Sequence, residues 1–185
     1  MKASVDQLGT FFGISIGYVT LFYISDILAG TQAVAGFASV FFLPAFVRLL
    51  GFLLIGMWVA PALLLAGTFL VLAGSYDLGS GAKAEIIVTL VTAFSGPLGA
   101  ATVARFAALK PNLENLSPIR LLVLSIGCSG ANTIGYSLTL ELLGLSHHES
   151  YVFWSIFIGD MIGTWVIIYT IKLIIDLYRA SQRHI

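Results

Sequence analysis

Residues 152 to 177 read VFWSIFIGDMIGTWVIIYTIKLIIDL, and only Asp160, Lys172 and Asp176 in this stretch are charged. A helix of this length spans about 39 Å, which exceeds the roughly 30 Å hydrocarbon core of a bilayer. Similar apolar stretches, separated by short polar breaks, fill the preceding residues. The sequence therefore predicts an all-α fold, a polytopic integral membrane helix bundle whose solvent is the lipid bilayer.

The apolar stretches predict about six transmembrane helices that form one bundle over residues 1–185. The predicted spans are 8–28, 36–54, 57–74, 85–109, 119–143 and 152–177. The second and third spans are expected to form a tight hairpin that turns at Gly56. The first span is interpreted as a retained helix, because its apolar part exceeds the 7 to 15 residues typical of a signal peptide.

The composition excludes several classes of protein. The chain has 185 residues, of which 58% are hydrophobic and 10% charged, and its mean hydropathy is +0.99. Soluble domains have about a quarter charged residues. The formal net charge is zero, so we expect no nucleic-acid partner. Fingerprints of nucleophile elbows, phosphate loops, zinc proteases and dinucleotide sites are absent from the sequence, so we expect no enzyme and no catalytic residue.

The distribution of basic residues predicts the orientation in the membrane. Lysine and arginine flanking transmembrane helices are retained in the cytoplasm. With the N-terminus inside, Lys83 is the one basic residue on the outer side. The inner side then holds eight: Lys2, Arg48, Arg105, Lys110, Arg120, Lys172, Arg179 and Arg183. The prediction is an N-in, C-in bundle with a basic inner half and an acidic outer half.

Ionisable and amide side chains within the spans are the candidate ligand-binding residues, since a charge at a helix centre costs about 2.5 to 3.5 kcal/mol on insertion scales. Asp26, Asn132, Glu141 and Asp160 are predicted to lie in the outer or central part of the membrane. They form a hypothetical outward-facing pocket for a cation, a proton or the ammonium group of a ligand. Arg48 is predicted in the inner half of the second span, and these depths do not favour an ion pair between it and a carboxylate.

Small residues recur at every fourth position in three spans. Such stripes allow helix backbones to approach closely in a membrane, where no hydrophobic effect drives helix association. They indicate packing within the bundle, or a surface for dimerisation or a partner helix, for which the first span is the preferred candidate. The residues are Gly9, Gly13 and Gly17, then Gly127, Ala131 and Gly135, then Gly159 and Gly163.

Two adjacent histidines, His147 and His148, precede Glu149 in a predicted loop. No third and fourth ligands stand at a spacing typical of zinc, and the spans carry no histidine pair suited to haem. We therefore predict no metal site and no cofactor. The single cysteine, Cys128, is interpreted as a packing residue, because a lone thiol forms no internal disulfide.

Three segments together resemble the membrane-associated sensor domain of the MASE type. The first contains FLPAFVRLLG at residues 42–51, followed by GMWVAP at 56–61 and GTF at 67–69. The second contains SGPLGAATVAR at 95–105 and residues 118–140, and the third contains FWSIFIGDMIG at 153–163. The pair Gly159 and Asp160 is the most specific element of the resemblance.

The resemblance implies a sensory module in the bacterial cytoplasmic (inner) membrane. Members of the family are typically fused to signalling output domains, whereas this sequence stops soon after its last helix, so the resemblance implies a free-standing module. Such a module is expected to act through a membrane or cytoplasmic protein partner, with a homo-oligomer as a further alternative. Two other functions stay open: a solute-binding subunit similar to the S component of energy-coupling-factor transporters, and a structural accessory subunit of a membrane complex.

Overall fold

A computed structural model describes residues 2–29, 42–76, 78–110, 113–145 and 150–182. The regular secondary structure in these ranges is helical, and turns and loops connect the helices. The helices are α1 (Lys2–Ala29), α2 (Pro44–Ile55), α3 (Val59–Leu72), α4 (Ala82–Phe106), α5 (Pro118–Leu142) and α6 (Ser150–Gln182), and a 3-10 turn at Gly56–Trp58 joins α2 to α3.

The chain reverses between α2 and α3 at Gly56, the residue at which the sequence predicts a turn. Gly56 has a φ of 59°, a backbone conformation that glycine adopts without the steric cost of a Cβ. The Cβ of any residue at position 51 would collide with Val59, so the two helices are close at the turn. Helix α2 packs against α1, α4 and α6, whereas α3 packs mainly against α1 and α4.

Hydrogen bonds and packing contacts establish that helices consecutive in the sequence run in opposite directions. The backbone N–H of Leu43 donates to Ser25 Oγ at 2.9 Å, and Gly51 lies near Ile14, so α2 is antiparallel to α1. Ser15 Oγ donates to the Ala62 carbonyl at 3.0 Å, and Tyr23 Oη lies 2.8 Å from Ser75 Oγ, so α3 runs parallel to α1.

The last three helices continue this alternation. Gly127 lies against Val103 and Gly135 against Ser95, so α5 is antiparallel to α4. Asn132 bonds to Asp160, and Trp165 Nε1 donates to Ser125 Oγ at 3.2 Å, so α6 is antiparallel to α5. One end of the bundle therefore holds Arg105, Lys110 and Arg120, and we call it the basic end. The opposite end holds Asp26, Glu85 and Glu141, and we call it the acidic end.

The described helices supply five segments that are long and apolar enough to cross a membrane: Gln7–Leu28, Pro44–Leu72, Ala82–Phe106, Pro118–Leu142 and Val152–Tyr178. This number is one below the predicted six, because the second and third predicted spans form a single apolar segment broken at Gly56. Large apolar side chains are exposed along the segments, among them Ile16, Leu98 and Leu138. Exposed apolar surface of this extent is typical of a protein that faces lipid.

The boundaries of the last three predicted spans agree with α4, α5 and α6 to within a few residues, although α6 continues to Gln182. Within the second predicted span, helix α2 begins at Pro44, and residues 36–41 lie outside the described residues. Proline at the first helical position is a known start signal, since its missing N–H needs no partner there.

Candidate functional site

A buried ion pair between α2 and α6 is the centre of the candidate site. Arg48 Nη1 donates to Asp160 Oδ2 at 2.9 Å, and the side chains are 4% and 2% exposed. Burying either charge alone in a membrane protein costs several kcal/mol, so each partner requires the other. The pair links two residues that are 112 positions apart in the sequence.

Asn132 brings a third helix, α5, into the same cluster. Its Nδ2 donates to Asp160 Oδ2 at 2.8 Å, so this one carboxylate oxygen accepts hydrogen bonds from both Arg48 and Asn132. Asn132 is 4% exposed. Arg48, Asn132 and Asp160 form a polar cluster, which we call the polar triad.

Two glycines position the ion pair by allowing close packing. Gly96 of α4 leaves room for the Arg48 side chain, because a Cβ at position 96 would collide with Arg48 Cδ. Gly163 of α6 lies against the backbone of Phe42 and Leu43, just before α2 begins. The Phe42 N–H also donates to the Gly159 carbonyl at 3.2 Å. These contacts hold the start of α2 on the turn of α6 that carries Asp160.

A small cavity of about 40 Å³ adjoins the polar triad. This volume corresponds to about three or four water molecules, since a site for one water needs about 10 to 15 Å³. The cavity is lined by Tyr18, Phe42, Arg48, Tyr76, Thr92, Asn132, Tyr136, Ile156 and Asp160. Residues from α1, α2, α4, α5 and α6 therefore meet around it.

Two polar atoms of the triad are buried without a hydrogen-bond partner among the described residues. They are Arg48 Nε, a donor, and Asn132 Oδ1, an acceptor. An unpaired buried polar atom costs about 1 to 3 kcal/mol. Both residues line the cavity, so the cavity is the place where a small molecule can satisfy these two atoms.

Aromatic side chains that contact one another form part of the cavity wall. The ring centroid of Phe42 lies 6.4 Å from that of Tyr18 and 6.5 Å from that of Phe22, edge to face in both pairs. The ring centroids of Phe22 and Tyr76 are 6.4 Å apart. Tyr76 belongs to the loop between α3 and α4. Burial raises the pKa of Tyr76 well above its ordinary value of 10.0, so its hydroxyl stays neutral at physiological pH.

The structure brings together some of the predicted ligand-binding residues and not others. Asn132 and Asp160 are in contact, whereas Asp26 and Glu141 are exposed at the acidic end and do not line the cavity. The depths predicted from the sequence did not favour an ion pair for Arg48, whereas the structure pairs Arg48 with Asp160. Helix α2 begins only four residues before Arg48, so this residue lies near the acidic end and reaches Asp160.

Sequence reasoning missed the tyrosines and Thr92 of the cavity wall. Tyr18, Tyr136 and Thr92 occupy three helices, and no local pattern marks residues that meet only after the helices pack. Pro44, four residues before Arg48, was the available signal for the position of the arginine, because it marks the first turn of α2.

The three glycine stripes have different surroundings. Gly127 and Gly135 pack against α4, where a Cβ at either position would be too close to Val103 or Ser95. Gly159 and Gly163 contact the backbone around Phe42, as described above. A Cβ at Gly9, Gly13 or Gly17 meets no atom of the described residues within 4 Å, so the α1 stripe is not covered by this part of the chain.

Among the described residues, no group of three or more His, Cys, Asp or Glu side chains is placed to hold a metal ion. His147, His148 and Glu149 lie outside the described residues. Cys128 is buried beside Leu49, Ala100 and Leu124.

No protein-family model, curated protein or solved structure matches the chain. The functional interpretation therefore depends on the geometry of the polar triad and its cavity, together with the resemblance described from the sequence.

Proposed function

We propose that this protein is an integral membrane sensory module that detects a small molecule at the polar triad and acts through a protein partner. The observation that carries the proposal is the burial of Arg48, Asn132 and Asp160 beside a cavity at one end of a lipid-facing bundle. Ionisable residues within membrane segments are costly and commonly mark functional sites. The resemblance to MASE-type sensor domains supports the same function.

The arrangement of α6 supports action through a partner. This helix carries Asp160 ten residues from its start and continues to Gln182, a length of about 50 Å at 1.5 Å per residue. Residues 171–178 are all exposed, so the last third of α6 leaves the described part of the bundle. A rearrangement at Asp160 would therefore move a helix whose far part is available to another protein.

We also propose that the chain crosses the membrane six times with both ends inside, in a bacterial cytoplasmic membrane. The opposite directions of α2 and α3 support two crossings in the Pro44–Leu72 segment. The helices of this segment have 12 and 14 residues, or about 18 and 21 Å, so each crossing would also need residues beyond the helix ends. The positive-inside rule places the basic end in the cytoplasm.

Reporter tags placed before Met1 and after Ile185 test this topology. We expect both tags on the cytoplasmic side, together with a tag in the loop between α3 and α4 on the outer side. Tags at the two termini on opposite sides of the membrane would exclude six crossings.

Isolation of the full chain from native membranes in mild detergent tests the sensory function. We expect a signalling or regulatory protein to copurify in a fixed ratio and to be lost from the Asp160→Asn variant but not from Asp26→Asn, which changes an exposed carboxylate. Correct insertion of Asp160→Asn must be shown in parallel, since a misfolded variant would lose any partner.

Copurification of an ATPase and a coupling subunit would instead favour the transport alternative. The cavity weighs against that alternative, because its volume of about 40 Å³ lies well below the roughly 300 to 1,000 Å³ of typical ligand pockets. A partner retained equally by both variants would favour a structural accessory subunit.

A further inference from the structure

The cavity beside the polar triad has a chemistry that restricts what it can bind. Arg48 and Asp160 are both more than nine-tenths buried and are paired with each other, so their opposite charges largely cancel. An ion entering the cavity would lose its hydration without meeting a net opposite charge, and desolvation of an ion costs several kcal/mol. The site therefore disfavours both cations and anions.

The unpaired atoms define the hydrogen bonds that a ligand must make. Arg48 Nε needs an acceptor, and Asn132 Oδ1 needs a donor. Both side chains are nine-tenths or more buried and line the same cavity. A ligand with a carbonyl-type oxygen next to an N–H group satisfies both, as an amide does.

The size and walls of the cavity set a limit on the ligand. About 40 Å³ accommodates two to four non-hydrogen atoms. Tyr18, Tyr136 and Thr92 line the cavity, and Thr92 Oγ1 donates within α4, to Val88 O at 2.9 Å. A solute of more than about four non-hydrogen atoms exceeds this volume.

We infer that the cavity is a binding site for a small uncharged molecule of the amide type, with one hydrogen-bond acceptor for Arg48 and one donor for Asn132. This inference rests on the proposed sensory function for its biological meaning and adds the chemical class of the ligand. It also replaces the cation or ammonium ligand suggested by the sequence, because Arg48 already occupies the carboxylate.

Three isosteric probes test the charge preference directly: acetamide, acetate and the acetamidinium cation. The measurement is thermal unfolding of the full chain in lipid nanodiscs over a range of probe concentrations. We expect acetamide to raise the unfolding temperature saturably, with half-saturation at about 1 mM, as about 1 kcal/mol per non-hydrogen atom implies. Acetate and acetamidinium should give no saturable shift.

Variants of Thr92 locate the binding without breaking the triad. Thr92→Leu places additional carbon atoms in the cavity and should abolish the acetamide shift, whereas Thr92→Val keeps the size of the side chain and should preserve it. Asn132→Leu removes the acceptor and should also abolish the shift. If Asn132→Leu does not fold, the Thr92 pair still decides the question.

Three results would overturn the inference: a saturable shift with either ion as large as that with acetamide, no shift with any probe, or an acetamide shift retained in Thr92→Leu. The proposed function fails separately, if no protein copurifies in an Asp160-dependent manner. Acetamide binding without such a partner would keep the site and reject the sensory function, and the reverse result would reject the ligand class alone.

Discussion

Asp160 in the interior of the bundle lies in the opposite setting to Asp26 and Glu141 at the acidic end. Asp160 is 1% exposed and accepts hydrogen bonds from Arg48 and Asn132 on two other helices. Asp26 and Glu141 are exposed, although the sequence places all three within apolar spans. The difference shows that the environment of a carboxylate in an apolar span depends on the residues that other helices bring to it, and less on its position along its own helix.

Removal of one partner of the ion pair should have the largest effect on the free energy of unfolding. Arg48→Met or Asp160→Leu leaves a buried unpaired charge, so we expect each to lower the free energy of unfolding by about 3 to 5 kcal/mol. The measurement is reversible unfolding in detergent micelles, with the monodisperse fraction on size exclusion as a second reading. A loss below about 1 kcal/mol in either variant would show that the pair is not buried as described.

Substitution of Gly163, which lies where α6 packs against the start of α2, should have a smaller effect on stability. A Cβ at position 163 would collide with the backbone of Phe42, so Gly163→Ala should cost about 2 to 3 kcal/mol of stability. Gly13→Ala is the matched control on the α1 stripe, where alanine favours the helix by up to about 1 kcal/mol. Equal effects of the two substitutions would contradict the packing of α6 on α2.

Asn132, the third member of the triad, should contribute less to the free energy of unfolding than the ion pair does. Asn132→Leu removes one donor to Asp160, but Arg48 keeps its partner, so we expect a loss of about 1 to 2 kcal/mol. The same unfolding measurement applies. A loss as large as that of Asp160→Leu would mean that Asn132, and not Arg48, is the main partner of the carboxylate.

The exposed carboxylates should give the smallest effect. Asp26→Asn and Glu141→Gln are expected to change the free energy of unfolding by no more than about 0.5 kcal/mol, as surface substitutions usually do. A loss of several kcal/mol from either would place that carboxylate in a buried contact and remove the contrast with Asp160.

The helical class and the lipid-facing character of the molecule could be predicted because long apolar stretches report directly on the solvent around a helix. The turn at Gly56 could also be predicted, since glycine punctuates an otherwise continuous apolar run. The boundaries of α4, α5 and α6 followed from the polar loops between them.

The partner of Arg48 could not be predicted from the sequence. A span that begins at residue 36 has Arg48 in its inner half, whereas Arg48 lies in the second turn of a helix that begins at Pro44. A glycine stripe in the sequence defines a helix face without defining what that face contacts. The stripe at Gly127 and Gly135 packs against α4, whereas none of the described residues packs against the stripe at Gly9, Gly13 and Gly17. The cavity depends on side chains from five helices, and only the packed bundle brings them together.

A double-mutant cycle between Arg48 and Asp160 tests most directly that this ion pair joins α2 to α6 inside the bundle. The cycle compares Arg48→Met, Asp160→Leu and the double variant with the unaltered protein in the same micelles. We expect the double variant to lose at least about 2 kcal/mol less unfolding free energy than the sum of the losses in the two single variants. This difference is roughly the interaction energy of residues in contact. Losses that add to within about 0.5 kcal/mol would show that the two side chains do not touch, and would contradict the arrangement of the site.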